Sequence, residues 1–208
     1  MGAGGYPHAF DKSRFFYTEG LGDLEVKLNS RRILDGMAQK IGIDAADRPT
    51  VFRQLDKLEK IGETELTDGL TTLIGATKAK QLLKSLVGRS QTDLLERLEK
   101  ELKGTTSGPV GIHEIRQIVD FLTAQRVPAE LIVLCPSLAR GLDYYTGAIF
   151  EATLLNQPEL GSVAGGGAYD QLIQMKNQPV PACGFSFGID RLTTALERGD
   201  NQLIGQPG

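Results

Sequence analysis

A long block of helical periodicity lies between two groups of strand-forming residues, and this order limits the possible folds more than any other feature. Before the block, Leu24, Val26 and Leu28 alternate with Glu25 and Lys27, which predicts a strand with one face in water. Four more stretches of strand character follow the block, at residues 131–134, 149–155, 162–167 and 181–187. Because no strand alternates regularly with a crossover helix, we expect an α+β fold: an antiparallel sheet flanked by helices, with an inserted helical subdomain.

The block itself carries apolar residues three and four positions apart, which predicts four or five amphipathic helices. Before the block, Asn29 and Ser30 are suited to cap the start of a helix that follows them and ends at Gly42. Ser90, with Asp93 three positions later, resembles a capping box. The later apolar stripes are at residues 51–61, 82–87, 94–102 and 112–122.

These patterns divide the chain into five segments. We expect a poorly ordered lead-in at 1–22, a first core segment at 23–43, the helical subdomain at 44–126, a second core segment at 127–199 and a tail at 200–208. The lead-in is expected to be irregular because it is rich in glycine and has no sustained period.

Composition and charge exclude several classes of protein. With 208 residues, 40% of them hydrophobic, the chain has enough apolar surface for a core and is not disordered throughout. No apolar run is long enough for a transmembrane helix, and no secretory signal is recognisable, so we expect a cytoplasmic location without membrane contact. A net charge of −3 argues against nonspecific polyanion binding. Cys135 and Cys183 are too few for a disulfide framework, and we expect both to be buried.

The stretch from Leu138 to Gly147 holds the highest density of reactive and binding side chains. Arg140 is a fixed cation suited to a carboxylate or a phosphate. Tyr144 and Tyr145, placed on a strand, would point to opposite faces, so that one lines a pocket while the other packs behind it. Taken alone, this composition favours a hairpin with exposed tyrosines and a surface arginine.

Two later stretches add to this pattern. Gly165, Gly166 and Gly167 would leave a flat strand surface on which a planar ligand could lie, although a flexible loop explains them equally well. Arg191 falls in the first turn of a helix that follows a strand, where it could reach a phosphate. Pairing with Asp190 or a surface carboxylate is the simpler explanation of Arg191 alone.

Taken together, these segments resemble the histidyl-tRNA synthetases, a family of class II aminoacyl-tRNA synthetases. The resemblance rests on Arg-Gly-Leu-Asp-Tyr-Tyr-Thr-Gly, Gly-Gly-Gly-x-Tyr-Asp and Gly-Phe-x-x-Gly-Ile-Asp-Arg-Leu, the last of which looks like the third signature motif of the class. Lys-Leu-Asn-Ser-Arg at 27–31 and Leu-Asp-Lys-Leu-Glu-Lys-Ile-Gly at 55–62 agree with it. It extends from about Gly22 to Gly199.

The resemblance implies a ligase that forms histidyl-adenylate from histidine and ATP and transfers histidine to its tRNA in translation. Arg140 then matches a catalytic arginine that contacts the histidine carboxylate and the α-phosphate of ATP. Tyr144 and Tyr145 match the histidine pocket, the three glycines match its floor, and Arg191 matches the arginine that holds the γ-phosphate. Mg²⁺ would arrive on ATP, with no metal ligands from the protein.

Departures from the family pattern define the alternatives. The first two class motifs, including the one that forms the family homodimer, and the anticodon-binding domain are not recognisable in these residues. Ala168 stands where the family has an arginine. The alternatives are a synthetase-like, histidine-binding regulator of histidine biosynthesis, and an inactive fragment of the catalytic core whose sheet edges promote association.

Overall fold

The computed structural model describes residues 24–86, 91–140 and 144–204. Within them the chain forms seven strands and seven α-helices. The strands are β1 (Leu24–Ser30), β2 (Ile132–Leu134), β3 (Ala148–Leu154), β4 (Ser162–Ala168), β5 (Ile173–Met175), β6 (Gln178–Val180) and β7 (Cys183–Phe187). The helices are α1 (Arg31–Ile41), α2 (Arg48–Leu55), α3 (Leu58–Ile74), α4 (Ala76–Ser85), α5 (Gln91–Leu102), α6 (Gly108–Ala124) and α7 (Ile189–Ile204).

Five strands form one sheet in the order β2-β1-β3-β4-β7. The pairs β1–β3, β3–β4 and β4–β7 are antiparallel, as expected, but β2 runs parallel to β1. This departure has a topological reason: the helical block lies between the two strands and is a connection long enough to return the chain to the same end of the sheet. β5 and β6 form a separate hairpin, and its turn residues Lys176 and Asn177 have positive φ, as a tight hairpin turn requires.

The first helix begins and ends where the sequence indicated. The Ser30 side chain accepts a hydrogen bond from the backbone N–H of Arg32, and Gly42 closes the helix in the left-handed conformation. Five helices, α2 to α6, fall within residues 44–126, so the expected number is confirmed. The stripe at 51–61 is divided between α2 and α3, and Gly62, with φ of 79°, kinks α3.

One hydrophobic core joins the helices to one side of the sheet. Phe52, Leu66, Leu82, Leu98 and Ile112 are fully buried in it, and Leu28 and Leu134 of the sheet belong to the same cluster. α1 and α6 pack closely: at Gly36 an added Cβ would lie 2.7 Å from the Cα of Gly108. The proposed division into segments 23–43, 44–126 and 127–199 stays a prediction.

The C-terminal helix is longer than expected. α7 continues to Ile204, into the segment predicted to be a tail, because no proline interrupts residues 189–204. The lead-in at 1–22 and Ser90 of the expected capping box lie outside the described residues. Cys183 is exposed and Cys135 half-buried, which corrects the expectation that both are buried. The reason is that Cys183 lies on β7 and Cys135 directly follows β2, the two edge strands of the sheet. None of the described helices is long and apolar enough to span a membrane.

Candidate active site

One face of the sheet carries the residues around which the candidate site is built. Four neighbouring strands place Lys27, Glu151, Gly165 and Ser186 opposite one another, so the three side chains and the bare backbone of Gly165 share this face. A cavity of about 660 Å³ opens on it. Both Arg140 and Arg191 line this cavity, although they come from separate stretches of the sequence.

The cavity lining carries both signs of charge. Its basic residues are Lys27, Lys60, Arg140 and Arg191, and its acidic residues are Glu25, Asp56, Glu151 and Glu159. The rest of the lining comes mainly from the segments around residues 55–58, 135–138 and 153–162. A volume of this size suits a small-molecule ligand, and mixed charge suits one that has cationic and anionic groups.

The Arg140 guanidinium lies directly against the glycine strand β4. Its Nη1 donates to the carbonyl oxygen of Phe150 at 3.2 Å and is 3.6 Å from a carboxylate oxygen of Glu151. A Cβ on Gly165 would collide with the guanidinium, so only glycine at this position allows Arg140 its place. The planar group on this strand surface is therefore a side chain of the protein itself.

Tyr144 and Tyr145 occupy a turn before β3, not the strand expected from sequence. Their ring centroids are 4.7 Å apart, and the expected arrangement on opposite faces is wrong because a turn does not alternate its side chains. Tyr145 is buried and Tyr144 is partly exposed, with an edge-on contact to Tyr169. An added Cβ on Gly167 would lie 2.7 Å from the Tyr145 ring. Both tyrosines lie beyond Arg140 and are not among the described residues that line the cavity.

The ionisation of Tyr145 depends on its neighbours. Burial and a hydrogen bond with Tyr144 raise the pKa of the Tyr145 phenol, whereas the nearby Arg140 guanidinium lowers it. The net shift is upward, so the phenol is neutral at physiological pH. A neutral phenol can donate one hydrogen bond and accept another.

A network of polar side chains fixes the turn that carries the tyrosines. Thr146 donates its hydroxyl to Asp170 at 2.9 Å and accepts the backbone N–H of Asp170 at 3.0 Å. Arg32 is 3.4 Å from the same carboxylate. Asp170 thereby connects the start of α1 with the end of β4.

The remaining predicted residues, Arg191 and Gly166, lie towards the β7 edge of the sheet. Arg191 donates a hydrogen bond to the carbonyl oxygen of Ser162. Among the residues that the structure describes, it forms no ion pair with a carboxylate. Gly166 packs directly against the backbone of Phe185 on β7. Gly166 thus supports strand pairing, whereas Gly165 and Gly167 support Arg140 and Tyr145.

Sequence reasoning missed several residues of the cavity. Alternation along β1 predicted a wet face for Glu25 and Lys27, but only the strand register shows that Lys27 lies opposite Glu151 of β3. The stretch at 55–60 could be recognised as a motif, yet its position at the cavity depends on the break between α2 and α3. Across the described chain, no three His, Cys, Asp or Glu side chains group closely enough to hold a metal ion.

Comparison with known proteins decides the family. The family model of histidyl-tRNA synthetase matches residues 15–192, most of the chain. The chain belongs to the histidyl-tRNA synthetase family. This result confirms the family, the fold class and the ligase ancestry expected from sequence.

Relatives within the histidyl-tRNA synthetase family are considerably longer than this chain. A histidine–tRNA ligase of Rhizobium meliloti (strain 1021) is 35% identical over 85% of this chain and 40% of its own length. One of Clostridium tetani (strain Massachusetts / E88) is 32% identical over 90% of this chain and 42% of its own length. The chain thus spans about 40% of the length of the curated relatives that it matches.

Solved structures agree on the fold. The histidyl-tRNA synthetase from Nostoc sp. PCC 7120 superposes with a TM-score of 0.83 at 27% identity, covering 91% of this chain and 45% of that one. A protein described as an ATP phosphoribosyltransferase regulatory subunit/histidyl-tRNA synthetase, from Bacillus halodurans C, gives a TM-score of 0.70 at 19% identity and covers 90% and 49%. The latter likeness concerns the fold alone.

Proposed function

We propose that this chain supplies the histidine- and ATP-binding part of a histidine–tRNA ligase. The observation that carries the proposal is the shared cavity of Arg140 and Arg191, two cations that the family resemblance pairs with the α- and γ-phosphates. The cavity volume is within the range of small-molecule sites. Membership in the histidyl-tRNA synthetase family supplies the reaction type.

In the proposed first step, a carboxylate oxygen of histidine attacks the α-phosphorus of ATP. The bond from that phosphorus to the bridging oxygen breaks, and pyrophosphate leaves with its Mg²⁺. Arg140 neutralises charge on the carboxylate and the α-phosphate, a preorganised electrostatic role without proton transfer. Its low exposure, 19% of the side chain, strengthens this interaction because little water screens it.

Histidine recognition in this proposal depends on the tyrosine turn. The neutral Tyr145 phenol and Tyr144 are the hydrogen-bonding groups for the imidazole. Gly165, Gly166 and Gly167, expected from the resemblance to be the pocket floor, contribute instead by leaving room for Arg140, Phe185 and Tyr145. Arg191 binds the γ-phosphate. In the second step, a hydroxyl of the 3′-terminal tRNA ribose attacks the histidyl carbonyl carbon, loses its proton, and displaces AMP. Translation in the cytoplasm, and a homodimer as in the family, are part of this proposal.

The mixed charge of the lining supports a zwitterionic substrate. Glu25, Glu151 and Glu159 offer carboxylates for an ammonium group, while the arginines offer cations for carboxylate and phosphate. No metal ligand from the protein is invoked, because Mg²⁺ is carried by the nucleotide.

Two other functions differ in what they bind. Ala168, in place of the family arginine, favours a regulator that binds histidine without nucleotide. The exposed aromatic residues of β7 favour an inactive core segment that associates through its sheet edge.

A thermal-shift titration with histidine, with ATP–Mg²⁺ and with both distinguishes the three, because a ligand that binds only the folded state raises the Tm. The ligase proposal expects a larger shift with both ligands than with either alone. Arg140→Ala and Arg191→Ala should remove that shift, whereas Arg116→Ala, which removes an exposed arginine paired with Glu99, should not. A shift with histidine alone supports the regulator, and no shift supports the inactive segment.

A further inference from the structure

Asn29, near the end of β1, has a fully buried side chain whose amide group donates two hydrogen bonds to the segment 136–139. Its Nδ2 donates to the carbonyl oxygen of Pro136 at 3.2 Å and to that of Leu138 at 2.8 Å. Its Oδ1 is buried and accepts no hydrogen bond within the described structure. Burying an amide in this way is unfavourable unless its bonds are made, so the two donated bonds hold Asn29 and the segment together.

Arg31 reaches the same segment one residue further on. Its Nη1 is 3.4 Å from the carbonyl oxygen of Ala139, and its guanidinium lies 4.6 Å from the centre of the Phe52 ring on α2. The residue is 9% exposed. Three carbonyl groups between residues 136 and 139 are thus bound by two side chains, Asn29 and Arg31, that flank Ser30 at the junction of β1 and α1.

Arg140 follows this segment directly and has an unusual backbone. Its φ is 46°, in the left-handed region that residues with a Cβ rarely adopt. A residue keeps such a conformation only where the surroundings impose it. The bonds from Asn29 and Arg31 act on the N-terminal side of Arg140, beside a turn in which the Leu138 N–H donates to the Cys135 carbonyl oxygen.

We infer that Asn29 and Arg31 are positioning residues, which hold residues 136–139 so that the Arg140 guanidinium lies on Gly165 and faces the cavity. The inference rests on the proposed function in one respect, since it takes Arg140 as the group that meets the substrate. It also connects the helical block to the site, because Phe52 supports the Arg31 guanidinium.

The test uses Asn29→Leu, which is similar in size and uncharged but lacks the donors, and Arg31→Lys, which keeps the charge but loses the planar fork. The measured quantity is the Kd for ATP–Mg²⁺ in the presence of histidine. We expect each variant to raise this Kd about tenfold, the order of coupling found between residues in contact.

A double-mutant cycle separates positioning from general weakening. Combined with Arg140→Lys, whose flexible ammonium depends less on exact placement, Asn29→Leu should raise the Kd by less than about twofold. An equal rise in both backgrounds would overturn the inference. Leu98→Ala is the control for stability, because Leu98 is fully buried in α5 and lines no part of the cavity. It should lower the Tm and leave the Kd unchanged.

A measurement without ligand tests the inference separately. Tyr145 faces Tyr144 and Arg140, and Arg140 lowers its pKa, so displacement of Arg140 should raise it. Ultraviolet titration of tyrosinate, with Tyr145→Phe to assign the signal, should show the same upward movement in Asn29→Leu and in Arg140→Ala. If the wild-type chain binds neither ligand, the proposed function fails and this titration still decides the positioning role. If the Tyr145 pKa rises in Arg140→Ala but in neither Asn29→Leu nor Arg31→Lys, the positioning role is overturned.

Discussion

The two halves of the sheet, the β2–β1–β3 side and the β7 side, differ in how firmly they hold their functional residues. On the β2–β1–β3 side, Leu28, Leu134 and Phe150 belong to or pack against the core shared with the helices. On the β7 side, Phe185 is 68% exposed and Phe187 51% exposed, although their rings contact each other. One half of the sheet is anchored by the core shared with α1 to α6, and the other by strand pairing and a smaller apolar cluster beneath α7.

This difference extends to the two cavity arginines. Arg140 belongs to the anchored side, is mostly buried and contacts Phe150 and Glu151. Arg191 projects from the exposed first turn of α7 and donates to one carbonyl oxygen, that of Ser162. A fixed cation suits the reacting centre, where reorganisation is costly, and an adjustable cation suits the mobile end of a triphosphate.

The largest predicted effect tests the contrast between the sides directly. Leu70→Ala, in the dry core of α3, should lower the free energy of unfolding by about 2–5 kcal/mol, through lost burial and a cavity. Phe185→Ala, on the open side, should lower it by less than about 1 kcal/mol, because most of the ring is already in water. Urea unfolding followed by circular dichroism gives both values. Equal losses would mean that a partner covers β7 in solution.

Gly165 and Gly167, two positions apart on β4, should differ in whether alanine lowers stability or nucleotide affinity. Gly167→Ala brings a Cβ against the Ala148 carbonyl and the Tyr145 ring, both firmly held, and should lower the unfolding free energy by about 1–3 kcal/mol. Gly165→Ala meets only the end of the Arg140 side chain, which can move away. We therefore expect little loss of stability but a fall of roughly tenfold in nucleotide affinity. Calorimetry and urea unfolding of both variants provide the check, and a reversed pattern would refute the placement of Arg140.

Helix capping gives a smaller, matched comparison on the anchored side. Ser30 caps α1 and also donates to Glu114 of α6 at 2.7 Å, so Ser30→Ala should lower the unfolding free energy by about 1–2 kcal/mol. Ser107 precedes α6 without a side-chain cap bond, and Ser107→Ala should change it by less than about 0.5 kcal/mol. The difference between the two midpoints in urea is the measured quantity.

The smallest effect concerns pH. Burial raises the pKa of the Asp35 carboxyl, against the opposing charges of Arg31 and Arg48. A folded-state pKa above the unfolded value means that stability falls as pH rises through this range. Asp35→Asn should therefore equal the wild type in strong acid and be slightly more stable at neutral pH, by less than about 1 kcal/mol because the side chain is partly in water. Urea titrations at several pH values, with Asp120→Asn as a surface control, measure this; a neutral-pH loss would contradict it.

Local patterns in the sequence were sufficient for the helices and most strands. The cap at Ser30, the stop at Gly42 and the alternation of β1 depend on neighbouring residues, which a sequence displays directly. The parallel pairing of β2 and the turn at Tyr144 depend on where the chain returns after the helical block. Those features follow from tertiary packing, which the periodicity of the sequence does not reveal.

The candidate site divides in the same way. Residue type and motif were sufficient to single out Arg140, Tyr145 and Arg191. They did not predict that the two arginines line a cavity while Tyr145 lies in an adjoining turn. Asn29 drew attention only as a possible helix cap, whereas the structure shows it bound to a distant segment. A buried amide has no periodic signature, so its role becomes visible only when its partners are known.

The path of the chain also affects the order in which the molecule forms. Asn29 bonds to Pro136, 107 positions further along the chain, and β1 lies between β2 and β3, which both follow the helices. During synthesis β1 emerges before β2 and β3 and has neither neighbour until residues 132–154 have left the ribosome. The hydrogen bonds within each helix are local, so the helices can begin to form in that interval. Slowing translation within the helical block should thus lengthen the time for which an apolar strand is unprotected, and raise the demand for chaperones.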